Sequence, residues 1–267
     1  MKQEEKEDDF YVGYIDSVSP NTKKSLKSFV HFGILLLVGG ALIFAFSQNT
    51  FKNSTFELAT STKITGVYHE MPYPMLRVKT GDTSFKNILL LGFGKSSANP
   101  FLQKIRNESG SISGSVLSIE GNLIYYNGKT LLQITSDEKV SLVENAATHR
   151  LPKTRHLIRG VELKGEIIDP KCYFGVMKPG KGKIHRSCAA LCISGGIPPV
   201  LATSDENNIS EYYLLTDKNG NPINEQILPY IGKPSILTGD VVQIQDWYQL
   251  RINTEDIKDL DLPSKIY

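Results

Sequence analysis

Three scarcities bound this sequence. It has only three cysteines in 267 residues, too few for a disulfide scaffold. It has almost no excess charge: 30 Lys and Arg stand against 28 Asp and Glu, a net +2. A dedicated nucleic-acid binder is usually far more basic. It also lacks any visible nucleophile–base motif, so a hydrolase has no support, and the expectation is a protein that is not an enzyme. What it does have is apolar content, 40% of residues. That excludes a disordered chain, and the length suffices for one large or two ordinary domains.

One long apolar run breaks the otherwise mixed sequence. Residues Phe29 to Phe46 read FVHFGILLLVGGALIFAF without Asp, Glu, Lys or Arg. Eighteen helical residues span about 27 Å, close to the hydrocarbon core of a bilayer. With no polar face, the run does not read as a soluble helix. The expectation is a membrane anchor at 29–46; a cleaved signal peptide is the alternative, because Ala45-Phe46-Ser47 resembles a cleavage site. The run is long for a leader and follows 28 residues carrying five Lys and six acids. Lys23, Lys24 and Lys27 precede it closely, which places residues 1–28 in the cytoplasm and the remainder outside. In a bacterium this means an inner-membrane protein whose later domains are periplasmic. Within the head, MKQEEKEDD reads as a charged tail. Phe10 to Ile15 is an aromatic patch, suited to the membrane interface or to docking on another membrane subunit.

The exported part, with 25 basic against 22 acidic residues, reads as two copies of one β unit. The first spans about 60–143. It has strands around Gly66-Val78 and Asn87-Phe93, a helix opened by Asn99-Pro100 with Asn as cap, strands over Ile112-Ile119 and Leu123-Tyr126, an Asn127-Gly128 hairpin turn, and Thr130-Ile134. The second, about 160–257, repeats the order, with Lys164-Ile168, Glu211-Leu215, a second helix opened by Asn221-Pro222, Ile236-Ile244 and Gln249-Ile252. The paired Asn-Pro starts lie 122 positions apart and the paired Gly-x-Val strands 125. The resulting fold class is mainly β: one transmembrane helix followed by two small five-stranded barrels of the OB type, each with one short helix. Export argues against the nucleic-acid role common to such barrels. Residues 144–159 form a basic linker with His149, Arg150, Lys153, Arg155, His156 and Arg159. It reads as a solvated connection or as a contact for lipid headgroups or an acidic partner. Residues 258–267 are left as a tail.

Cys172, Cys188 and Cys192 all lie within one stretch of 21 residues. Aligning the units on Gly66 and Gly165 puts Tyr73 where the second has Cys172, so the cysteine segment is an insertion in one copy. His185 to Leu191 reads as a helix ended by Gly195-Gly196. His185, Cys188 and Cys192 then fall at i, i+3 and i+7 on one stripe, and Cys172, ending the preceding strand, can close over it. A Cys₃His set suits tetrahedral zinc. Soft thiolates also suit Cu(I), with Met177 as an extra thioether. Three other readings stay open. Cys172 can form a disulfide with Cys188 or Cys192, whereas Cys188 and Cys192 bridge poorly within one helix. A thiol can be activated by His185, Arg186 and nearby lysines. Or the cysteines are unligated. Lys178, Lys181, Lys183 and Arg186 make a basic, Gly-rich loop without phosphate-loop spacing, either solvated or an anion or partner contact.

The second unit resembles a group of small exported bacterial domains of unassigned biochemical role. The shared pattern is carried by Gly165, Ile167, Asp169 and Cys172, then His185, Cys188, Ala189 and Cys192, then Gly195, Gly196 and Pro198, and finally Thr238-Gly239-Asp240-Val241. It covers about 95 residues and leaves out the anchor and the first unit. The resemblance implies an OB-like barrel with a Cys/His site and no established activity. Two functions follow as expectations. The first is an anchored accessory protein of a respiratory or other membrane complex, whose Cys/His site holds zinc or copper or a structural bridge. The second is a periplasmic thiol oxidoreductase or copper-delivery factor using Cys188 and Cys192.

Overall fold

The computed structural model describes residues 20–47, 54–82, 84–143, 157–204 and 210–260. The chain divides into two compact units, Met1–Lys52 and Asn53–Tyr267. In the first, α1 (Pro20–Ser47) is a single helix of 28 residues with no buried residue. It starts on Pro20, whose missing N–H is no loss in a first turn. It is about 42 Å long and so includes the expected 29–46 span together with Lys23, Lys24 and Lys27. Its length and its mean hydropathy of 2.4 fit a membrane span or a signal sequence. The aromatic patch Phe10–Ile15 lies outside the described residues.

The second unit contains two closed five-stranded barrels. The first is built from β2 (Thr62–His69), β3 (Met75–Lys79), β4 (Phe85–Gly92), β5 (Val116–Tyr126) and β6 (Lys129–Ile134), after a short β1 (Ser54–Phe56). Antiparallel pairs run β5-β2-β3-β4, the parallel pair β4–β6 follows, and β6–β5 closes the ring. A helix, α2 (Asn99–Ser109), joins β4 to β5, and β7 (Val140–Leu142) adds to the edge of β5. The second barrel uses β8 (Leu157–Ile168), α3 (Arg186–Ser194), β9 (Val200–Ser204), β10 (Ser210–Asp217), β11 (Pro234–Ile244), β12 (Trp247–Ile252) and the two-residue β13 (Lys258–Asp259). It closes identically: β8 pairs β9 and β11, β10 runs parallel to β12, and β11 pairs β12. This closed order, with its one parallel pair, is the OB arrangement expected from the strand–strand–strand–helix–strand–strand reading. Gly66 and Gly165 each lie on the first strand of their ring, against a carbonyl of the next strand. A Cβ on Gly66 would lie 2.6 Å from the Arg77 carbonyl oxygen, and one on Gly165 would lie 2.4 Å from that of Ala202.

Local details depart from the sequence reading for identifiable reasons. Ile112-Ile119 and Leu123-Tyr126 are not two strands: residues 116–126 form the single β5, because Gly121 lets the Gln133 carbonyl approach without breaking the ladder. Asn99 is inside α2; Ala98 holds the cap position. The second barrel has no helix at Asn221-Pro222. The Asp217 carboxylate takes the Asn219 and Asn221 amides, holding the chain in a turn, and one helical bond from Ile227 N–H to Ile223 O follows. Leu228–Tyr230 adds only a single 3-10 turn, in which Pro229 has no N–H to extend an α-helix. The helix of this barrel is instead α3, within the insertion. The expected unit edges also move: 157–159 belong to β8, Lys258–Asp259 pairs with β11, and linker residues 144–156 lie outside the described residues.

Three apolar clusters hold the unit together. One fills the first barrel, including Leu76, Ile88, Leu90, Leu117 and Leu132, with Leu102 and Ile105 of α2. A second fills the other barrel, including Leu201, Leu215, Leu237 and Leu250. The third lies between the barrels and draws on both: Tyr73, Met75, Leu89, Leu91 and Leu131 from one side, Val200, Tyr212, Leu214 and Trp247 from the other. The apolar run over β4 is thereby explained: Ile88 and Leu90 face the barrel interior, Leu89 and Leu91 the seam. Corresponding positions meet there. Met75 pairs with Leu89, Val200 pairs with Leu214, and all four are in the shared cluster. Polar bonds pin the seam: Tyr73 Oη donates to Leu215 O at 2.6 Å, Trp247 Nε1 to Asn87 O at 3.1 Å, and Asn87 Nδ2 to Ile244 O at 2.9 Å.

Gly195, at the end of α3, touches the loop after β4 of the first barrel. Its carbonyl accepts the Ser97 amide at 2.9 Å, and an added Cβ would fall 1.9 Å from the Lys95 carbonyl oxygen. Gly195→Ala is expected to destabilise the protein by about 2–3 kcal/mol, the cost of overpacking against backbone. Ser194→Ala, one residue earlier and exposed, is expected to change stability by less than about 0.5 kcal/mol. Denaturant unfolding of the two variants in detergent measures the difference.

Candidate metal centre

The site begins where β8 runs out at the seam. Ile167 points into the second barrel and Ile168 into the shared cluster. Asp169 follows, with none of its surface exposed. Its Oδ1 accepts the Cys172 amide at 2.8 Å, and its Oδ2 lies 3.0 Å from His185 Nε2. The chain then makes one wide turn over Cys172–Val176, closed by the Met177 N–H on Cys172 O at 3.2 Å. Cys172 is therefore held just beyond the strand, in a turn fixed by the Asp169 carboxylate.

The other ligand candidates come from α3. The expected helix over His185–Leu191 runs Arg186–Ser194, with His185 in the cap position. Ala189 and Ile193, four residues apart, bury in the second barrel. Cys188 and Cys192, also four apart, face the shared cluster. The helix thus lies across the junction of two cores, and this division aims the cysteine stripe at Cys172. Asn224 secures the C-terminal end, donating to Ile193 O and Ile197 O at 2.8 Å each. The segment that does not form the expected second helix is therefore what holds α3 down.

Two overlapping trios of ligand atoms result. Those of Cys172, His185 and Cys188 lie within 4.8 Å of one another, as do those of Asp169, Cys172 and Cys192. A Cys/His cluster near metal-binding distances is therefore present, with Cys172 common to both trios. Cys172, Cys192 and His185 are buried and Cys188 is partly exposed. No cysteine is bridged. The Cys172 and Cys192 sulfurs lie within 4.8 Å of each other; the neighbouring Cys192, with burial, raises the Cys172 pKa, and Cys172 lowers that of Cys192. The donor set fits a soft or borderline cation: thiolates, one imidazole, and a carboxylate already occupied in orienting that imidazole.

Two residues acquire roles that spacing did not reveal. Asp169 stood in the sequence pattern three positions before Cys172, and the structure makes it the group that orients both Cys172 and His185. Lys171 is also buried. Its Nζ donates to Gly92 O at 2.8 Å and Gly94 O at 2.6 Å, tying the site to the loop after β4. Burial lowers its pKa to about 8, with the nearby Cys192, Cys172 and Asp169 acting in the opposite direction. A lysine between Pro and Cys carries no signal of burial in one sequence. Met177 Sδ lies 3.9 Å from Cys188 Sγ. Of the basic loop, Lys178 bonds to Tyr173 O and lies 5.0 Å from the Tyr126 ring centroid. Arg186 reaches Pro229 O at 3.4 Å, and Lys181 and Lys183 are exposed.

No family model and no curated protein matches the chain. Among solved structures it is similar to a deletion mutant of the single-stranded DNA binding protein from Thermus aquaticus. That protein is 12% identical, with 82% of this chain and 90% of the other covered, at a TM-score of 0.21. So low a score carries no argument, and the barrel assignment rests on the strand pairings alone.

The different burial of the three thiols has a direct consequence. In the native, metal-free protein a maleimide is expected to label Cys188 at least about tenfold faster than Cys172 or Cys192, which must wait for local opening. Peptide mapping of a labelling time course checks the order. Fast labelling of Cys192 would instead favour an activated redox thiol.

Proposed function

We propose that this is an inner-membrane-anchored protein whose second OB barrel, on the exported side, holds a metal ion at Cys172, His185, Cys188 and Cys192 in support of a respiratory or other membrane complex. The reading carries over the resemblance to small exported Cys/His barrels. One observation carries the metal assignment: the buried Asp169 carboxylate grips His185 Nε2 at 3.0 Å, which leaves Nδ1 for the cysteine side. A carboxylate behind a ligating imidazole fixes its tautomer and raises its basicity, a regular companion of metal-bound histidine. Asp169 Oδ1 on the Cys172 amide extends the same control to a second ligand.

The anchoring side of the proposal draws on α1, whose apolar surface is not covered by any of the described residues of its own unit, and on the three lysines of its first turns. The first barrel acts as the platform: it contributes no ligand and supplies Gly92 O and Gly94 O to hold Lys171. A second reading keeps the site structural. The neighbouring buried thiols of Cys172 and Cys192 are the natural pair for a disulfide in an oxidising compartment.

The full chain purified in detergent is expected to carry about one equivalent of zinc or copper per molecule. Asp169→Asn is expected to weaken retention of that metal by about 10- to 100-fold while leaving the far-ultraviolet circular dichroism unchanged. Less than about 0.2 equivalents under both oxidising and reducing preparation would end the metal reading. A Cys172–Cys192 disulfide in the non-reduced peptide map would put the structural bridge in its place. For topology, protease added to spheroplasts is expected to digest the barrels and spare an epitope on residues 1–28; protected barrels would reverse the orientation.

A further inference from the structure

The site has one feature that a closed zinc site does not need. Met177 is 46% exposed, yet its thioether lies 3.9 Å from the sulfur of Cys188, the one cysteine that is not buried. Two sulfurs 3.9 Å apart can both reach one ion at a metal–sulfur distance of about 2.3 Å, with an angle between them of about 116°, close to trigonal. Thioethers select Cu(I) and contribute little to zinc, whose protein ligands are thiolate, imidazole and carboxylate. The hard donor nearest the thiols, Asp169, is already engaged by the Cys172 amide and by His185. Beside the borderline imidazole of His185, the remaining donors are soft sulfurs, and they are graded in depth: Cys172 and Cys192 inside, Cys188 half-way, Met177 in solvent.

We infer that the ion is Cu(I), held as cargo, and that Met177 and Cys188 are the solvent-side ligands through which it enters and leaves. This rests on the metal-centre reading above. The transfer is ligand exchange. Copper stays monovalent, a proton displaced from a thiol passes to solvent on loading and returns on release, and no electron moves. Met177 suits the outer position because a thioether binds without losing a proton and releases without regaining one.

The test uses the full chain in detergent, anaerobic and reduced, with Cu(I) and Zn(II) each titrated against a chromogenic chelator. Met177→Leu keeps the size and apolarity of the side chain. It is expected to weaken Cu(I) binding by at least about tenfold, the loss that even an outer-sphere partner causes, and to speed removal of Cu(I) by the chelator, with Zn(II) affinity unchanged. Cys188→Ser is expected to weaken both ions. If Met177→Leu leaves Cu(I) affinity and removal rate unchanged, or lowers both metals equally, the inference is overturned while the metal centre stands. If the wild-type chain binds neither ion, both readings fall together.

Discussion

The shared apolar seam between the barrels is the constraint on which the rest of this unit depends. Each barrel has its own interior, filled from alternate positions of its strands. The outward positions of β3, β4, β6, β9, β10 and β12 would otherwise present Met75, Leu89, Leu131, Val200, Leu214 and Trp247 to water. Packing these positions of each copy together, with Phe174 and Cys192 of the inserted segment, removes that surface. Burying the seam also obliges every polar group within it to find a partner. Asn87 accepts from Trp247 and donates to Ile244, and the Tyr73 hydroxyl finds Leu215 O.

The two copies differ most where they meet. At the position of Tyr73 the second barrel has Cys172, and beyond it a segment absent from the first. That insertion does not hang outside the fold. Its helix sends Ala189 and Ile193 into the second barrel and Cys188 and Cys192 into the seam. The ligand candidates are therefore immobilised by two hydrophobic cores at once, which is the support that a precise coordination set requires. A single barrel would leave one side of α3 bare. The first barrel thus helps to hold the cluster in place although none of its described residues belongs to it.

Much of this was legible from residue order. The OB topology followed from strand count, the Asn127-Gly128 turn and the repeated spacing, because those signals are local. The cysteine stripe followed from helical periodicity. What was hidden depended on contacts distant in sequence. Asn221-Pro222 resembled Asn99-Pro100, but Pro229 and the Asp217 turn decide the backbone there, and the segment supports α3 through Asn224 instead. Asn87-Phe93 and Glu211-Leu215 read simply as strands; that the second face of β4 and β10 belongs to a seam between copies is visible only when both barrels are in place. The standing of Asp169 and Lys171 was equally hidden, since neither charge announces its burial.

Lys171 shows how the seam and the site depend on each other. An ammonium group with 4% exposure is costly unless it is bonded and matched by negative charge. The bonds come from Gly92 O and Gly94 O of the first barrel, and the negative charge from Asp169 and the thiols of the second. Neither barrel alone satisfies it. Burial pulls the Lys171 pKa down to about 8, and Cys192, Cys172 and Asp169 pull the other way, so the charge on this lysine is set from both sides of the seam.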